Sequence, residues 1–70
     1  MHIGKRVQEV MSEKGKTVAW LAEQLPCERS NIYNMFHRRN IGVDLLMRLS
    51  ELMEHDFFKE LSNEFRNQEH

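Results

Sequence analysis

Arg29, Ser30, Tyr33 and Asn34 are the side chains of this 70-residue chain best suited to chemistry, and that chemistry is hydrogen bonding. The guanidinium of Arg29 is a planar fork that matches guanine O6 and N7, a contact worth roughly 1–3 kcal/mol of discrimination between bases. The amide of Asn34 can pair with adenine, and Tyr33 can meet a thymine methyl or a phosphate. Arg38, Arg39 and Asn40 follow shortly afterwards. Groups of that kind hold phosphate oxygens, which fixes register and gives salt-dependent affinity without reading sequence. Asn31 joins the same phosphate set. Lys16 and Thr17 stand just ahead of another helical stretch, where free backbone N–H groups can share an anion with them.

Such residues act together only if a helix presents them on one side. From Val18 to Leu25 the apolar residues Val18, Leu21, Ala22 and Leu25 mark one face of a short helix. After a break at Leu25-Pro26-Cys27, Ile32, Met35 and Phe36 mark a second helix, starting near Glu28 and ending at Phe36 or His37. Removing those three residues leaves Glu28, Arg29, Ser30, Asn31, Tyr33 and Asn34 on the outward side. Ala22 is small enough to let the second helix cross closely. Two short helices meeting steeply make a helix-turn-helix, whose second helix can enter a DNA major groove.

The rest of the chain supplies a core. Ile3, Val7, Val10 and Met11 predict a first helix over 3–13, with Gly15 placed for a left-handed cap. Thr17 is the expected N-cap of the next helix. Leu45, Leu46, Leu49, Leu52 and Met53 predict a fourth helix over 43–53, with Asp44 suited to the positive end of its dipole. Asp56 can cap a fifth, whose stripe is Phe57, Phe58, Leu61 and Phe65. The two adjacent phenylalanines cannot both point inward, which leaves one for a dimer contact. No strand-type alternation, repeat or linker interrupts this all-α, five-helix pattern. One domain over 1–66 is expected, with a flexible polar tail over 67–70.

Composition narrows the function classes. The single cysteine excludes an internal disulfide, and Cys27 falls in the apolar pattern as a small buried hydrophobe. His2, His37, His55 and His70 share no metal-ligand spacing. There is no nucleophile–base pairing and no Gly-rich phosphate loop, so an enzyme, a cofactor or a metal is not expected. No apolar run spans a membrane and no leader pattern precedes the first helix, so the expected compartment is the cytoplasm. Net charge is −1, but it is unevenly spread. Residues 1–48 carry eight basic against five acidic side chains; residues 49–70 carry two against six. The first part can therefore face phosphate while the acidic end faces away.

From Ile3-Gly4-Lys5-Arg6-Val7 through Thr17–Phe36 to Val43-Asp44-Leu45-Leu46 and Phe57-Phe58-Lys59-Glu60-Leu61, the chain resembles the Xre/Cro-type helix-turn-helix family, the lambda-repressor-like DNA-binding domains. The resemblance implies a regulator that binds double-stranded operator DNA, often as a homodimer. It places Ser30 and Asn34 at base-facing positions and Arg38-Arg39-Asn40 in a phosphate-contacting segment. Some relatives use the fold to hold a protein partner instead, and the net acidity, Val18 and Trp20 favour that second reading.

Several residues depart from the family pattern. Pro26 replaces the usual turn glycine and cannot supply its positive φ, so the turn is expected to shift or change shape. Met11 and Phe36 replace an arginine–glutamate pair, and are expected to meet in the core, since a buried ion pair can be exchanged for apolar residues at little cost. Trp20 either closes the core edge or belongs to a partner surface. The alternative for Arg29 is a surface ion pair with Glu28 or Glu23, of little energetic value. For Glu28 it is electrostatic support of its own helix, and for Arg38 and Arg39 it is solubility.

Overall fold

A computed structural model describes residues 1–68 and contains five helices there: α1 (Ile3–Glu13), α2 (Val18–Gln24), α3 (Arg29–Phe36), α4 (Val43–Met53) and α5 (Phe57–Asn67). Among the described residues there is no strand. The expected helices all form, within a residue or two of their expected ends. α5 runs through Asn67 with Gln68 as its C-cap; Glu69 and His70 lie outside the described residues.

Caps explain where the helices begin. Thr17 Oγ1 accepts from Trp20 N at 3.0 Å, and an Asp56 carboxylate oxygen accepts from Lys59 N at 2.9 Å. His2 is the unforeseen cap: its Nδ1 accepts from Lys5 N at 3.1 Å. Glu28 stands at the cap position of α3 without making a side-chain cap bond.

Three helices end the same way. Lys16 N donates to Met11 O, Cys27 N to Ala22 O and His55 N to Ser50 O, at 2.8 to 3.0 Å. These bonds bridge five residues back and wrap each terminus around one residue of positive φ. Those residues are Gly15 at 67°, Pro26 at 20° and Glu54 at 50°. Glycine alone takes such a conformation freely. Pro26 takes the positive φ that the sequence reading denied to proline. The Cys27–Ala22 bond closes the turn, and the strain falls on a ring that prefers φ near −65°.

The core is one cluster in which α2 and α1 pack on α3, and α1 also packs on α4. Val7, Val10, Leu21, Ile32, Leu49, Met53 and Phe57 are almost wholly enclosed. Met11 and Phe36 are both buried in this cluster and line one hollow together. Phe57 points inward and Phe58 is half-buried. Two placements need correction. Cys27 is half-buried rather than buried, because one side opens onto a hollow beside α3. Phe65 is 63% exposed, since it lies two turns beyond Phe57 and to one side of the face that Phe57 sets toward the core.

The first turn of α1 is tied to the end of α3. Ile3 N donates to Arg39 O at 2.9 Å and Gly4 N to Arg38 O at 3.0 Å. With His2 serving Lys5 N, the three leading amides of α1, which have no partner inside the helix, are all satisfied. Gly4 makes the approach possible. A Cβ there would lie 2.5–2.6 Å from the carbonyl oxygens of Met35, Phe36 and Arg38.

Candidate functional site

The outward side of α3 is open. Arg29, Ser30, Asn31, Tyr33 and Asn34 are all exposed, and so are Lys16, Thr17, Arg38, Arg39 and Asn40. The placement follows from the local sequence: Ile32, Met35 and Phe36 claim the inward face, and with 100° per residue the polar set is turned out. Two hollows bring some of the ten residues together.

Five of the ten come from α3 itself. Beside it, Lys16 and Tyr33 line a shared hollow of about 210 Å³ with Gln8 and Ser12 of α1. On the other flank, Asn31, Asn34 and Arg38 edge a hollow of about 370 Å³ backed by Ile32, Met35 and Leu45. Arg39 and Asn40 continue along the exposed loop after α3. That loop is held by its main chain, through the Arg38 and Arg39 carbonyls bound to α1, which leaves both guanidinium groups free.

The ion pairs among the described residues fall on other side chains than these cations. Among the described residues, Arg29, Arg38, Arg39 and Lys16 have no carboxylate within ion-pair distance. The expected alternative partners of Arg29, Glu23 and Glu28, do not reach it. Lys16 instead sits over the ring of Trp20, 4.8 Å from its centroid. Trp20 is half-buried against the core, closing its edge as one of the two sequence readings has it. Thr17 serves α2 as cap with its oxygen, and its hydroxyl hydrogen stays available to an anion.

Among the described residues, the densest ion pairing gathers around Arg6. Arg6 Nε lies 2.9 Å from both oxygens of Glu60 and its Nη2 lies 2.8 Å from Oε1. Glu9 and Glu13 approach its Nη1 at 3.1 and 3.6 Å. His55 Nε2 completes the group at 3.0 Å from Glu60. The hydrogen-bonded Arg6 holds the Glu60 carboxyl below the usual carboxylate range, with burial opposing and His55 adding to the lowering. The same contacts raise the Arg6 guanidinium still further, led by its hydrogen bonds to Glu60. Sequence reasoning missed this cluster, because its partners are 54 residues apart in the chain.

The described residues include no group of three His, Cys, Asp or Glu side chains able to hold a metal ion, and no helix long and apolar enough to cross a membrane. The chain matches no family model, no curated protein and no solved structure.

Proposed function

We propose that this chain is a sequence-specific DNA-binding regulator, with α3 inserted into the major groove and a repressor's mode of action by occupancy of an operator. One observation carries the reading: a short helix turns five polar side chains, Arg29 among them, to solvent, beside Arg38, Arg39 and Lys16, and among the described residues no carboxylate pairs with any of these four cations. Free cations beside an exposed polar helix are what a phosphate backbone and a row of base edges require together. In this reading Arg29, Ser30, Tyr33 and Asn34 face bases. Lys16, Thr17, Asn31, Arg38, Arg39 and Asn40 face phosphates. Two copies on a palindrome, with half-sites ~34 Å apart, suit a module with so short a reading helix. The expected setting is cytoplasmic.

Selection from a random duplex pool tests the reading and reports the site. Binding to the recovered duplex should weaken steeply with salt. Arg38→Ala and Arg39→Ala should each lower the slope of log Kd against log salt by about 1. Arg29→Ala should instead level the affinities of the selected and mismatched duplexes. Retention of every duplex alike, unaffected by Arg29→Ala, would reject sequence reading.

A second reading is a protein-interaction module on the same helices. It is favoured by the exposed apolar side chains Val43, Met47 and Phe65. Recovery of one stoichiometric protein partner, with no duplex retained, would select it.

A further inference from the structure

The larger hollow beside α3 has the composition of a ligand site rather than of a groove filled by DNA alone. It holds about 370 Å³, within the range of small-molecule pockets. Ile32 and Met35 form its buried wall and Leu45 of α4 its half-buried one. Its rim is polar: Asn31, Asn34 and Arg38. None of these three side chains has a hydrogen-bond or ion-pair partner among the described residues. A phosphate of a duplex could satisfy the rim, but it has nothing long and apolar to occupy the space behind.

We propose that this hollow binds a small amphiphilic monoanion, its carboxylate on Arg38 and its hydrocarbon chain against Ile32, Met35 and Leu45. Charge selects the sign, since an unpaired guanidinium with two free amides favours an anionic head. The apolar wall selects the tail, since chain burial there removes hydrocarbon from water. Site occupancy stands on the hollow alone. Its consequence for regulation rests on the function proposed above: the ligand would take the groups that Asn31 and Arg38 offer to phosphate, and so would release DNA.

Octanoate is a suitable probe. Titrated into the 15N-labelled full chain, it should shift the amides of Cys27, Asn31, Met35 and Leu45 with one dissociation constant on the order of 1–10 mM. Octan-1-ol, with the same tail and no charge, should bind at least about fivefold more weakly. Arg38→Ala, an exposed change that leaves the core untouched, should erase that difference. Octanoate should also slow alkylation of the Cys27 thiol, which borders the hollow. Equal binding of acid and alcohol, or shifts centred on Val43, Met47 or Phe65, would overturn the proposal. So would shifts of the same amides on diluting the protein alone, which would mean that a second copy fills the hollow. With the selected duplex present, octanoate at ten times its own dissociation constant should raise the apparent duplex Kd about tenfold. If octanoate binds as stated and no duplex is retained by the free protein, the DNA reading fails and the ligand site stands. If a duplex binds and octanoate does not, the reverse holds.

Discussion

Arg6 and Arg38 are the same residue type put to opposite uses. Arg6 lies between α1 and α5, three-quarters covered, with Glu60, Glu9 and Glu13 on its guanidinium. Arg38 lies after α3, exposed and unpaired, though its own carbonyl is bound to Gly4. At the first position the side chain does the holding, and at the second the main chain does. A guanidinium that already has a fixed carboxylate gives little to an external anion. One that is anchored through its backbone keeps its charge for a partner. In a chain of net charge −1, this division lets one region be cationic while the whole is slightly acidic.

The strongest way to break the contrast is at Gly4. Gly4→Ala would drive a methyl group into three carbonyl oxygens and separate α1 from the arginine loop. We expect a loss of about 3 kcal/mol, or a fall in Tm on the order of 15 °C, by thermal denaturation. Gly42→Ala is the control, since a Cβ there meets nothing within 4 Å.

Glu60→Gln attacks the paired region. It should cost about 1–2 kcal/mol in urea unfolding at neutral pH, with duplex affinity unchanged. Its pH dependence has a definite sign. The carboxyl is held lower in the folded chain than in the unfolded one, so its contribution is complete above the ordinary carboxylate range. It fades as pH falls through that range and is gone below the folded value. The difference between wild type and Glu60→Gln should therefore close on acidification. A gap that widens in acid would refute the pairing.

Pro26→Gly works in the other direction. It relaxes the positive φ and restores an N–H to the end of α2, while losing the stiffness of proline in the unfolded chain. A net gain of about 1 kcal/mol is expected from urea midpoints. The smallest effect belongs to the unpaired region. Arg29→Ala should change stability by less than about 0.5 kcal/mol, because no partner is lost. A larger cost would show that this guanidinium has a structural task after all.

The elements were legible in the sequence because their signals are local. Apolar spacing, Thr17, Asp56 and Gly15 each act within a turn or two of their own position, and the helix ends follow from them. The outward polar side of α3 was legible for the same reason, since Ile32, Met35 and Phe36 leave it no other direction. What lay beyond reach depends on distant partners. Glu60 meets Arg6 only once α5 has folded back on α1. The need for Gly4 comes from carbonyls more than thirty residues further on. Cys27 and Phe65 have apolar character, but their exposure is set by where neighbouring elements stop. The proline turn was misjudged because a local preference was set against a closing hydrogen bond, and the bond prevailed.

The amides of Ile3 and Gly4 begin a helix, a place where backbone hydrogens ordinarily trade with solvent soonest. Here they are spoken for by the carbonyls of Arg39 and Arg38. Deuterium uptake at these two positions thus becomes a remote gauge of the arginine segment. A cargo that tugs on residues 38–39 would register at residues 3–4, and a bulky fusion ahead of Ile3 would be felt by whatever that segment grips.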